Sequence, residues 1–201
     1  MRLLGYPLKT GGSRGQAIVE FSLVILVFLT LIIAIVEFSF LLNAKVGVTY
    51  TAQDAAQLAA EQGNNADADF VVLQQVEQDM APPINRTQIV SVSIFWTNQA
   101  GTNLGADTYT RGGTYKDPLD ATKTVPYAQT ASGYLPGATP ANRCVVNSGI
   151  GCATGHTTTD WIGVTITYKY AWFTPFPSLI GLGGAAPTFT QTTTSRMEPV
   201  L

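Results

Sequence analysis

Charge is scarce in this chain, histidine is nearly absent and cysteine is held to a single pair, and each shortage removes a class of function. Charged residues make up 12% of the 201 positions, about half the share of roughly 25% common in soluble proteins. The net charge of −2 offers no field for a polyanion, and no basic patch follows Lys45; nucleic acid is excluded as a partner. The single histidine, His156, stands in a Thr-rich stretch with Asp160 downstream. A Ser-His-Asp site needs a nucleophile held against such a histidine. GxSxG, HExxH, P-loop and GxGxxG patterns are all missing. Lys9-Thr10-Gly11 precedes the apolar run and is no catalytic element. The sequence points away from an enzyme, with no catalytic residue, no cofactor and no metal.

The two cysteines are Cys144 and Cys152, in "CVVNSGIGC". Their spacing is too wide for a CxxC redox or zinc pair, and His156 alone completes no metal site. Two readings stand: a local disulfide across a Gly-rich loop, or two unrelated buried thiols. The disulfide is favoured. Closing so short a loop contributes about 2–3 kcal/mol in the chain-entropy account, and it needs an oxidising compartment.

What the chain has in quantity is one apolar run. Phe21–Val36 reads "FSLVILVFLTLIIAIV", Glu37 interrupts it, and "FSFLL" continues to Leu42. As a helix this segment measures about 33 Å at 1.5 Å per residue, against a hydrocarbon core of about 30 Å. It is too long and too uniform for a core helix in a domain of this size, and no A-x-A-type site closes it as a secretory signal. Residues 16–42 are therefore expected to cross the membrane once. Arg2, Lys9 and Arg14 precede the span, with no acidic residue before Glu20. The positive-inside rule places the N-terminus in the cytoplasm and the remainder outside, in agreement with a disulfide.

Two carboxylates bracket the run. Each stands near a membrane edge, where its head can reach water. For Glu37 two readings are open: an interfacial residue that snorkels to water, or a partner for a group on a neighbouring helix. For Glu20 the surroundings say more. Gly15-Gln16-Ala17-Ile18-Val19-Glu20-Phe21, after a short basic leader, resembles a type IV prepilin processing site. The resemblance implies cleavage after Gly15 by a prepilin peptidase, which leaves Gln16 as the new amino terminus. Glu20 then lies four residues on, placed to neutralise the terminal amine of a neighbouring subunit in an apolar bundle.

The longer stretch "GQAIVEFSLVILVFLTLIIAIVEFSFLLNAKVGVTYTAQDAAQLAAE" is similar to the TadE-like family of the tight-adherence (Tad/Flp) pilus machinery. The features that carry the resemblance are the G-x-x-x-x-E-[FY] element ending in Glu20-Phe21, the hydrophobic helix, a second E-F dipeptide at Glu37-Phe38, and the Ala-rich helix "TAQDAAQLAAEQG". It spans about residues 14–62, with a weaker echo at Arg196-Met197-Glu198-Pro199. It implies a minor pilin-like component (a pseudopilin) that acts in pilus biogenesis and surface adhesion. Its implied partners are the prepilin peptidase, other pilins and pseudopilins, the Tad inner-membrane assembly proteins and the lipid bilayer. A substantial domain after the helix argues for a low-copy component over a repeated shaft subunit.

That domain is expected to be α+β. Ala44–Gln62 prolongs the helix, and Ala52, Ala55, Ala56 and Ala59 form a small-residue stripe at helical spacing. The stripe serves either internal packing or a subunit interface. Gly63 is a stop signal. Asp67–Met80 predicts a second helix with Asp67 as N-cap, Phe70, Leu73 and Val76 on one side, and Pro82-Pro83 beyond its end. "QIVSVSIFW", "WIGVTITYKYAWF" and "TFTQTTTSRM" predict strands. The expected architecture is a mainly antiparallel sheet of three to four strands packed on the helix, as in pilins. Residues 98–160 read as a loop-rich, irregular and partly β insertion carrying Tyr109, Tyr115, Tyr127 and Tyr134, either a recognition surface or a tolerated insertion. "FTPFPSLIGLGG" at 173–184 reads as a buried short helix or as a surface touching membrane or partner.

The organisation expected is a leader at 1–15, a membrane and assembly helix at 16–42, and an extracytoplasmic domain at 43–201. The function expected is that of a processed minor pseudopilin in the cytoplasmic membrane, with Gly15 and Gln16 at the cut and Glu20, Phe21 and Glu37 serving assembly. The competing reading is an unprocessed, single-pass, membrane-tethered binding domain.

Overall fold

The computed structural model describes residues 13–80, 84–133, 140, 143–145, 158–179, 181 and 186–197. It divides into two compact units. One combines Met1–Phe40 with Trp172–Gly184, and the other combines Leu41–Ala171 with Ala185–Leu201. The sequence reading assigned 172–184 to the outer domain; the structure groups it with the apolar half of the first helix.

Helix α1 runs from Ser13 to Gln62. No proline interrupts it, and its first half is built of Leu, Ile, Val and Phe. Gly63 ends it as expected, at φ +56°, a left-handed conformation that glycine adopts without a Cβ clash. A side chain there would also meet Val145 Cγ1 at 2.9 Å.

In the second unit, α2 spans Ala68–Asp79. Asp67 occupies the N-cap position, but its side chain makes no cap bond. Its backbone is nearly helical (φ −96°, ψ 4°), whereas a capping side chain needs an extended residue to reach back to the free N–H groups. Phe70, Leu73 and Val76, read from sequence as one side of this helix, are buried together with Val72. Pro82 and Pro83 lie outside the described residues.

The strands are β1 (Ile89–Thr97), β2 (Asn103–Lys116), β3 (Thr124–Ala131), β4 (Trp161–Lys169) and β5 (Thr188–Arg196). They form a five-stranded sheet in the order β3-β2-β1-β4-β5, with every neighbouring pair antiparallel. The expected count of three to four strands is thus too low. The strands beyond the three located from sequence, β2 and β3, come from the segment read as an irregular, partly β insertion. Tyr109 and Tyr127, candidates there for surface recognition, are fully buried. Tyr134 lies outside the described residues.

The sheet has two contrasting faces because side chains alternate along a strand. One face presents Val92, Ile94, Val164 and Ile166, all buried. The stripe of Ala52, Ala55, Ala56 and Ala59 is also completely buried within this unit, so it serves internal packing. On the opposite face, Thr108, Ser93, Thr165 and Thr192 align in one row across four strands, and Thr110, Ser91, Thr167 and Thr190 in the next. Hydroxyls link within the first row, Ser93 to Thr108 at 3.2 Å and Thr165 to Thr192 at 2.8 Å. These rows explain how a sheet with so little charge keeps a polar surface. At Gly163 the Phe95 ring lies where a Cβ would be, 2.2 Å from its ideal position, so only glycine fits.

Two polar clusters pin α2 to the sheet. Asp69 on α2 binds the guanidinium of Arg143 and accepts from the Tyr109 hydroxyl at 2.6 Å. Glu77, two turns on, pairs with Arg111 and accepts from the Tyr127 hydroxyl at 2.6 Å. The Arg111 guanidinium also lies 5.5 Å from the Tyr127 ring centre. Burial, reinforced by the Asp69 carboxylate, pushes the Tyr109 hydroxyl far above the usual tyrosine range. Burial and the bond to Glu77 do the same for Tyr127.

Two outcomes follow. Arg143 and Asp69 are both sealed from solvent, so Arg143→Ala strands a carboxylate in the interior. It should destabilise the domain by about 3–5 kcal/mol, measured by chemical denaturation; a loss under about 1 kcal/mol would show the pair to be dispensable. For the tyrosines, a folded pKa above the unfolded one means the unfolded state releases its protons first as pH rises. Their contribution is intact below about pH 10 and falls above it. Tyrosinate absorbance from Tyr109 and Tyr127, isolated by comparison with Tyr109→Phe and Tyr127→Phe, should appear together with unfolding and not before it.

Candidate functional site

The residues singled out by the sequence cluster at the two ends of the apolar half of α1. Between them, Phe21–Val36 contains no charge and measures about 24 Å along the axis. Phe21, Leu23, Val24, Leu26 and Val27 are each more than 60% exposed. Consecutive exposed positions of this kind surround the helix on all sides. The most apolar window has a mean hydropathy of 2.9, and none of it is buried within the chain. Such a helix fits a single-pass membrane anchor.

The few polar groups in the run are satisfied locally. Ser22, Thr30 and Ser39 each donate their hydroxyl to the carbonyl four residues earlier, at 2.8 Å. This back-bonding leaves no hydroxyl in need of water inside an apolar medium. Only the carboxylates remain, and the chain treats them differently.

At the N-terminal end the helix already encloses Gly15 and Gln16, since it begins at Ser13. A Cβ at Gly15 would meet nothing within 4 Å, so the surroundings of this glycine are open. Gln16 and Glu20 share one helix face, and Gln16 Nε2 donates to Glu20 Oε1 at 3.1 Å. Both side chains are exposed, as is Phe21 at 66%. The structure thus brings Gln16 and Glu20 together through a single exposed bond.

Glu37 stands about 25 Å further along the axis and is only 3% exposed. Its carboxylate accepts the backbone N–H of Phe173 at 2.9 Å, the N–H of Thr174 at 2.8 Å and the Thr174 hydroxyl at 2.7 Å. Neither sequence reading of Glu37 anticipated these partners, which come from its own chain; the group is buried and not extended toward water. Hydrogen bonds to a charged group contribute about 1.5–3 kcal/mol each. A carboxylate at the centre of a bilayer costs about 2.5–3.5 kcal/mol on insertion scales and less toward the edge. Three such bonds therefore offset the cost of the charge. The partners are mainly backbone groups far along the chain, and no local pattern around Glu37 signals them.

In the second unit, Cys144 is buried and its N–H donates to Asp160 Oδ2 at 2.8 Å. The Asp160 N–H returns a bond to the Cys144 carbonyl at 2.9 Å, and the Asp160 carbonyl accepts from Met197 at 3.0 Å. Asp160, considered from sequence as a companion to His156, instead holds the Cys144 backbone beside the start of β4. Cys152 and His156 lie outside the described residues. Among the described residues, no group of His, Cys, Asp and Glu is arranged to hold a metal ion.

Comparison with curated proteins and with solved structures finds no match to this chain. A family model does match: residues 15–57 fit the one described as TadE-like protein, which covers both carboxylates and the whole uncovered helix and connects this segment with Tad pilus assembly.

Proposed function

We propose that the chain is a minor pseudopilin of a Tad (Flp, type IVc) pilus or a related secretion system, a structural part and not a catalyst. A prepilin peptidase cuts after Gly15, and the helix from Gln16 onward holds the protein in the cytoplasmic membrane, N-terminus inside, until it joins the pilus. There Glu20 meets the new terminal amine of a neighbouring subunit, with Phe21 beside it. The folded domain lies outside the cytoplasm, and surface adhesion follows from its place in the pilus.

The observation that carries this reading is the helix itself. The apolar surface of its first half, around Phe21–Val36, is uncovered on every side, and Glu20 is exposed at its start with a neutral amide as its partner. An apolar surface this large needs lipid or other helices. A carboxylate among such helices needs a positive charge, because a lone buried charge is costly. Cleavage between Gly15 and Gln16 creates such a charge at the right height. The basic leader and the family match at residues 15–57 support the same assignment. A Cys144–Cys152 disulfide belongs to the proposal, since the domain would fold in an oxidising compartment; no free cysteine occurs among the described residues.

Processing is tested at the protein's own terminus. Mass spectrometry of the membrane-extracted protein should find a mature chain beginning at Gln16, and Gly15→Ala should abolish that terminus. A chain that keeps its leader beside an active prepilin peptidase would leave only a tethered extracytoplasmic domain. For the disulfide, alkylation of the denatured protein should add no label before reduction and label both cysteines afterwards. Labelling without reductant would remove the bridge from the account.

A further inference from the structure

The bonds made by Glu37 single out the segment they hold. Trp172–Gly184 contains no charged residue. It turns at Phe173–Pro175 and then forms the short helix α3, Phe176–Leu179. Phe173 is 74% exposed, yet its ring lies 5.2 Å from that of Phe40. Phe38 is 63% exposed, and Val36 and Ile33 are over 40% exposed. The exposed ring of Phe173 thus continues the uncovered apolar surface of α1.

We propose that Trp172–Leu179 is a second membrane contact, a loop lying among the lipids at the end of the span and held there by Glu37. The proposal rests on reading α1 as a membrane helix. Two features of the segment fit lipid better than water. First, it offers few unsatisfied donors. The N–H groups of Phe173 and Thr174 are taken by Glu37, Pro175 and Pro177 have none, and Ser178 returns both its N–H and its hydroxyl to the Pro175 carbonyl at 3.1 and 2.6 Å. Irregular backbone is tolerated at membrane depth only when its polar groups are met within the protein. Second, Trp172 is of a residue type enriched at the membrane–water boundary, and an exposed ring such as that of Phe173 is of the kind that interfacial segments bury among head groups and acyl chains. Glu37 acts as a positioning residue. Its carboxylate gathers the donors of the turn and keeps the aromatic ring against α1.

Fluorescence quenching in vesicles tests this on the full chain. The protein, with Trp96, Trp161 and Trp172 replaced by phenylalanine and Phe173→Trp as the reporter, is reconstituted into phosphatidylcholine brominated near the head group or near the chain ends. Emission should be blue-shifted and quenched about twofold more by shallow than by deep bromines, as expected for a ring at the interface. Adding Glu37→Ala should abolish most of that quenching. A reporter at Phe28→Trp, in the middle of the span, should be quenched best by deep bromines. If Phe28→Trp is quenched and Phe173→Trp is not, the loop does not touch lipid and the proposal falls while the span stands. If neither is quenched, the membrane reading fails and takes the proposal with it. Emission at Phe173→Trp that shifts with protein concentration and not with lipid would assign the loop to a protein partner instead. Unchanged quenching in the Glu37→Ala background would overturn the role given to Glu37. Should the three-phenylalanine background fail to fold, 5-fluorotryptophan in the otherwise native chain gives the same answer. The Trp172 resonance, assigned by Trp172→Phe, should broaden with head-group nitroxide lipids; no broadening would contradict the proposal.

Discussion

An apolar surface that its own chain leaves uncovered has to be covered by something else. In this protein that surface is the first half of α1, where Phe21, Leu23, Val24 and Leu26 stand exposed on every side of the helix. At about 25 cal/mol for each Å² removed from water, leaving such a helix in solution costs more than a small domain can offset. The remaining features of the segment follow from this constraint. Hydroxyls are folded back onto the helix, charge is confined to the two ends, and the sheet and α2 belong to a separate compact unit.

The two carboxylates show how one residue type serves opposite ends. Glu37 is enclosed, and its oxygens are occupied by Phe173 and Thr174 of its own chain. Its needs are met before any partner arrives. Glu20 is exposed, and its described contact is a neutral amide one turn away. A carboxylate finished at home positions a loop; a carboxylate left open can receive a charge from another molecule. The family match covers both, but their surroundings differ, one exposed and one enclosed.

The parts of the fold that were legible in the sequence are those with a periodic or compositional signature. The apolar run and its stop at Gly63 predicted α1, and alternation in "QIVSVSIFW" and "WIGVTITYKY" predicted β1 and β4. Strands β2 and β3 were legible only as a partly β insertion, because several of their inward residues are polar. Tyr109, Arg111 and Tyr127 face α2 and are satisfied there by Asp69 and Glu77. Hydrophobic alternation cannot register a strand that buries a charge network. Long-range pairs such as Arg143 with Asp69 have no local signature either. The same holds for Glu37, whose partners include two backbone N–H groups that any non-proline residue could supply at those positions. The segment after β4 was read as either a buried short helix or a surface touching membrane or partner, because its composition is apolar under both readings; the exposure of Phe173 favours a surface.

The central claim is that Glu20 is kept open for another subunit while Glu37 serves its own chain. It is tested most directly by measuring how much processed Glu20→Ala protein enters purified pili, by quantitative mass spectrometry against the same amount of wild-type protein in the membrane. Removing one partner of a buried charge pair costs about 3–5 kcal/mol, so the account predicts normal processing and membrane retention with incorporation reduced by about a hundredfold or more. Incorporation of Glu20→Ala at the wild-type level would contradict it.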